Sequence, residues 1–168
     1  MRNKSRFIAH AALIAALYVV LTHMQNIILP NSASMAIQCR LSEMLCVLAL
    51  FTPAAIPGLS VGCLLFNLTF SPALPLDFLL GTLATFLAAA SMWALRKFTL
   101  RGYPLLALLM PALFNGLLVG WELSVYIGGA FWVNAFYVAL GELIVLLIFG
   151  SALYWIIKKR NLDKRIFQ

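Results

Sequence analysis

LDFLLGTLATFLAAASMWALRKFTLR, residues 76–101, is an apolar run closed by Arg96, Lys97 and Arg101. A helix crossing a bilayer needs ~20 apolar residues, and Lys and Arg gather on its cytoplasmic flank. The stretch therefore predicts a membrane helix over about 76–95 that meets the cytoplasm near residue 98.

The rest of the chain repeats this pattern. Eleven of its twelve Lys and Arg residues lie in three clusters: Arg2, Lys4 and Arg6; Arg96, Lys97 and Arg101; and Lys158, Lys159, Arg160, Lys164 and Arg165. Placing all three on the cytoplasmic side requires an even number of crossings before residue 96 and an even number after it. At 64% hydrophobic and 10% charged residues, with a mean hydropathy of +0.99, the chain has too little polar surface to coat a soluble domain. The net charge of +7 lies at membrane edges, so it follows from topology and does not point to nucleic acid. The expected fold is an all-α integral membrane protein: a six-helix transmembrane bundle with both termini cytoplasmic, built as one domain over 1–168.

The expected helices are about 6–23, 39–51, 57–70, 76–95, 104–119 and 134–157. A polar stretch from Gln25 to Gln38, broken by Pro30, separates the first two. Pro53 and Pro57 mark a cytoplasmic turn, and Ser71, Pro72 and Pro75 an outer one. An outer loop is expected to hold Trp121, Glu122, Tyr126, Gly128, Gly129 and Trp132. Helices two and three are shorter than a full span, so a tilted or re-entrant hairpin is an alternative where protein shields the backbone. The first apolar run lacks a small-residue cleavage site followed by a polar mature domain, so a retained first helix is expected. Cys39, Cys46 and Cys63 lack metal-site spacing and read as packed thiols.

The acids are distributed the opposite way from the bases. Glu43, Asp77, Glu122 and Glu142 fall in outer loops or outer halves of helices, and only Asp163 is in the tail. Arg40, the one base outside the clusters, joins Glu43. Ionisable groups in a membrane are costly and face a bundle interior or a wet cavity, so a polar, aromatic-lined pocket open to the outside is expected. Its candidate substrate-binding residues are Gln38, Arg40, Glu43, Asn67, Asp77, Asn115, Trp121, Tyr126, Trp132, Asn134 and Glu142. Each has a plainer reading. Arg40 and Glu43 could neutralise each other, Asp77 could serve the helix dipole, Trp121 and Glu122 could be interfacial, and Asn134 could cap a helix. Glu142, eight residues into the sixth expected helix, must be protonated, paired with Arg40 or bound to a substrate donor. His23 reads as interfacial and His10 as packing.

Small residues form a second pattern. Ala11 with Ala15, and Ala12 with Ala16, make small-xxx-small pairs on the first helix, and Gly58/Gly62 and Gly116/Gly120 repeat the spacing. The glycine pairs suit packing within the bundle, while the alanines suit that or an outside partner. No HExxH or P-loop occurs, and neither catalysis nor nucleotide hydrolysis is expected of this chain.

The run Ala36-Ile37-Gln38-Cys39-Arg40-Leu41-Ser42-Glu43, followed by Ala55-Ile56-Pro57-Gly58-Leu59, Gly62-Cys63, Asp77 and Gly81-Thr82-Leu83-Ala84-Thr85, resembles the QueT family. These are substrate-binding (S) components of energy-coupling factor (ECF) transporters assigned to queuosine precursors. The motifs cover about residues 6–90, and beyond that the likeness is one of topology. Phe66 stands where a smaller residue is expected. The resemblance implies a bacterial plasma-membrane bundle without enzymatic activity or a cofactor of its own. It captures a deazaguanine outside, docks on a transmembrane scaffold subunit with two ATPases that use ATP, and topples to open its pocket to the cytoplasm. The family's docking motif falls on Ala11/Ala15 or Ala12/Ala16.

A deazaguanine presents adjacent N–H donors to a carboxylate and a flat ring to aromatics. Glu43 or Glu142 could supply the carboxylate, and Gln38, Asn67 or Asn115 could read the carbonyl. Trp121, Tyr126 or Trp132 could stack. Three rival functions remain at this stage: an S component for another vitamin-like or amino-acid nutrient, a solitary secondary carrier or channel, and a membrane assembly factor.

Overall fold

The computed structural model describes residues 2–30, 40–70 and 74–166. Gln38, most of the first outer loop and part of the Ser71–Pro75 turn lie outside the described residues. The described chain is all-α. Four of its helices are long and apolar enough to cross a membrane, and two shorter apolar helices lie between the first and second of these.

Helix α1 runs Arg2–Ile28, five residues past its expected end. The polar residues that suggested a loop stay helical because their side chains have partners. Asn26 donates to the Thr22 carbonyl (3.1 Å), the His23 ring contacts the Thr69 hydroxyl (3.1 Å), and the Gln25 carbonyl accepts the Leu41 N–H (2.7 Å). The second expected helix is a 3-10 helix, Leu41–Leu50. Its rise of ~2.0 Å per residue carries ten residues over ~20 Å, where an α-helix would cover ~15 Å. Three residues per turn also stack Glu43, Cys46 and Ala49 in one buried column.

Helix α2 is Ala55–Thr69 and α3 is Asp77–Leu95, close to expectation. The fifth helix is interrupted. A short α4, Leu105–Leu108, stops just before α5, Met110–Tyr126, where Pro111 supplies no N–H to continue the ladder. Helix α5 ends seven residues beyond the expected Val119. The outer loop then shrinks to residues 127–130, closed by Gly128 and Gly129 at φ +94° and +91°, a backbone that side chains rarely adopt. Helix α6, Phe131–Val145, passes through a π-helical turn, Leu146–Gly150, into α7, Ser151–Lys159; α8 is Leu162–Ile166.

Two seams of small residues hold the bundle. A Cβ added to Gly58 would sit 2.7 Å from the Ala11 carbonyl, and one on Gly62 would sit 2.7 Å from the Tyr18 Cβ, so α1 and α2 touch backbone to backbone. A Cβ on Gly120 would lie 2.6 Å from the Ala135 Cα, which closes α5 against α6 in the same way.

The contacts also fix which parts share an end. Phe51 stacks on Tyr154 (5.7 Å), Tyr103 packs on Tyr154 and Trp155, and Lys158 lies over the Phe51 ring (5.6 Å). The second and third basic clusters therefore lie together. The start of α1 joins them, because Ala11 meets Gly58 one turn into α2, just after the Phe51 turn. Asp77 begins α3 and Glu122 lies one turn from the end of α5, so both are at the other end.

Candidate substrate-binding site

A single buried stripe on α1 starts the site. Ala15, Tyr18, Thr22 and Gln25 follow helical spacing and are all buried, with Ala11 half-buried at its head. Thr22 bonds the Ser42 hydroxyl (2.7 Å), and Tyr18 donates to Glu43 Oε1 (2.5 Å). Cys46 Sγ donates to the other Glu43 oxygen (3.0 Å). Glu43 is thus held by two protein donors, which is how a buried carboxylate is tolerated.

Arg40, just before the 3-10 helix, is buried and forms a loose ion pair with Asp77 Oδ1 (3.7 Å). Its guanidinium lies 5.9 Å from the centroid of the buried Phe66 ring, which stacks on Phe70 and takes the edge of His23. The larger side chain at 66 therefore forms an aromatic floor beside Arg40. Asp77 heads α3 without capping it through its side chain. Asn67 donates to the Asp77 carbonyl (2.7 Å) and to Cys63 Sγ (3.6 Å), which ties α2 to the start of α3. A Cβ on Gly81 would come within 2.9 Å of Asn67 Nδ2, so a glycine leaves room for that amide.

The opposite wall comes from α5 and α6. Asn115 and Glu122 lie seven apart on the buried face of α5. Asn115 Nδ2 donates to Glu142 Oε1 (3.3 Å). Because α6 begins at Phe131, Glu142 is ~16 Å below its outer end, deeper than the sequence suggests. Glu142 lies within the fields of Glu43 and Arg40, and Glu122 within those of Asp77 and Arg40. One guanidinium thus acts on both pairs of acids.

The hydrogen bonds leave an imbalance of one kind. Asn67 Oδ1, Asp77 Oδ1, both Glu122 oxygens and Glu142 Oε2 are buried and have no hydrogen-bond partner. All are acceptors, while the amide donors of Asn67 and Asn115 are engaged. Buried polar atoms are normally paired, so a guest that donates hydrogen bonds would complete this set.

The structure separates the remaining candidates from this cluster. Glu122 is in α5 and fully buried, not in an outer loop. Trp121, one residue earlier and ~100° round the helix, is exposed, as are Tyr126 and Trp132, and all three sit on helices. They are not brought to the buried acids and match aromatic anchors at a membrane edge. Asn134 is in the first turn of α6, where Nδ2 donates to Ser124 (2.9 Å) and to the Gly128 carbonyl (3.0 Å), tying down the tight turn. Phe66 was noted from sequence only as a larger residue than expected, and Tyr18, Cys46 and Gln25, which also belong to the cluster, were not named as candidates. Tyr18, Thr22 and Gln25 could have been, because they continue the spacing of Ala11 and Ala15. Ala15 packs against Gly62, whereas Ala12 and Ala16 face outward.

Ionisable groups kept in the interior of an apolar helical bundle are costly and mark substrate or ion pathways in membrane transport proteins. The sequence profile of the QueT transporter family matches residues 8–159. The chain belongs to that family: it is an S component of ECF transport and not an enzyme. Its kinship extends well past residue 90, where the recognisable motifs stop. No curated protein and no solved structure matches the chain.

Proposed function

We propose that the buried cluster binds a 7-deazaguanine queuosine precursor captured from outside, and that the chain hands it to the cytoplasm on a scaffold subunit driven by two ATPases. The observation that carries this reading is the set of unpartnered buried acceptors on Asn67, Glu122 and Glu142. A deazaguanine edge offers contiguous N–H donors of the kind these atoms lack. Glu142 and Asn115 are placed to read that edge, one by its free oxygen and the other by its amide, with Phe66 as the flat surface nearby. Glu43, held by Tyr18 and Cys46, positions the 3-10 helix. Six crossings with both termini cytoplasmic agree with the three basic clusters meeting at one end, opposite Asp77 and Glu122.

Binding to the purified chain in detergent tests the proposal. Queuine, its aminomethyl and cyano precursors, guanine, riboflavin and thiamine are titrated separately. Only the deazaguanines are expected to bind tightly. Tight binding of riboflavin or thiamine, with none of a deazaguanine, makes this an S component for a different nutrient.

A further inference from the structure

Charge and hydrogen-bonding capacity in the site are both one-sided. Glu43, Asp77, Glu122 and Glu142 are all buried, and Arg40 is the only Lys or Arg between Arg6 and Arg96 or between Arg101 and Lys158. Four carboxylates therefore face one guanidinium in a low-dielectric interior, where unpaired charge is costly.

The four acids are not equivalent. Glu43 has both oxygens bonded by Tyr18 and Cys46. Glu142 has one oxygen bonded by Asn115 and one open, which suits a single N–H of a base edge. Neither Glu122 oxygen has a hydrogen bond of good geometry, and the carboxyl lies beside Asp77, which is ion-paired with Arg40. Two unpartnered oxygens on one carboxylate, with a second carboxylate beside it, match an ammonium, which has up to three donors and a positive charge. Neighbouring carboxylates repel unless a proton or a cation lies between them.

Accepting the deazaguanine reading above, we infer that Glu122, with Asp77, is the specificity-determining receptor for an ammonium group on the ligand's side arm. The ring is read deeper in the bundle by Glu142 and Asn115. The site thereby prefers a ligand carrying an amine over one with the same ring and a neutral arm. Glu122 acts as a charged acceptor, so glutamine, which has the shape of the carboxylate without its charge, removes the preference.

The test compares 7-aminomethyl-7-deazaguanine with 7-cyano-7-deazaguanine, which share the ring and differ in the charge of the arm. Affinities are measured on purified wild-type protein and on Glu122→Gln. Wild type is expected to bind the amine more tightly. Glu122→Gln is expected to lose about 10- to 100-fold for the amine, the range for a charged buried hydrogen bond, and less than about 3-fold for the nitrile. Equal loss for both ligands, or none for either, overturns the inference. If Glu122→Gln does not fold, the wild-type pair decides, and equal affinity for amine and nitrile overturns it. Failure of wild type to bind either deazaguanine is a separate result, which overturns the functional reading on which the inference rests.

Discussion

A charged side chain in an apolar helix needs a reason to be there, and that made Arg40, Asp77 and Glu142 legible from sequence. Glu122 was legible only as an acid. Next to Trp121 it looks interfacial, and only the extension of α5 to Tyr126 turns it inward while Trp121 faces out. Tyr18 and Phe66 could not be separated from ordinary core aromatics by type. Their roles come from partners more than twenty residues away, Glu43 and Arg40 respectively. The Tyr18 hydroxyl is one of two donors to a fully buried carboxylate. Tyr18→Phe should lower stability by roughly 1–3 kcal/mol, the cost of leaving a buried acceptor without its donor. Thermal unfolding of the purified protein in detergent checks this, and an unchanged midpoint would show that Glu43 does not depend on that bond.

At the level of elements, the helices at 57–70 and 76–95 were legible within two residues because proline and the basic cluster punctuate them. The 3-10 form of Leu41–Leu50 was not, since its hydrophobic pattern is nearly continuous and fixes no period. The ends of α1 and α5 were also misjudged, because polar residues with tertiary partners look like loop residues when read alone. Helix α1 carries two alanine pairs, and the structure divides them. Ala15 is buried and Ala11 half-buried against Gly58 and Gly62, while Ala12 and Ala16 are exposed amid Leu13, Leu17 and Val20. A helix-packing face of small residues that faces outward suits a partner helix. Ala12→Leu with Ala16→Leu should abolish uptake in cells while substrate binding to the purified chain stays within about 2-fold. Ala15→Leu should instead destabilise the chain, by the ~1–3 kcal/mol typical of overpacking. Normal uptake by the double variant would move the docking surface elsewhere.

At the scale of the whole molecule, the chain is polarised. Aromatic and basic residues from Phe51, Tyr103, Tyr154 and Lys158 gather at one end, and the ion pair of Arg40 with Asp77 lies toward the other. The sequence made this polarity visible through its three basic clusters, but not how deep the acids sit, which depends on where α6 starts. On the proposed orientation, with the basic end toward the cytoplasm, a substrate site nearer the acidic end loads from outside. Binding of radiolabelled 7-aminomethyl-7-deazaguanine to sealed membrane vesicles containing this chain alone, without ATPases, tests that most directly. Saturable binding is predicted in right-side-out vesicles and not in inside-out ones. Saturable binding confined to inside-out vesicles would contradict the account.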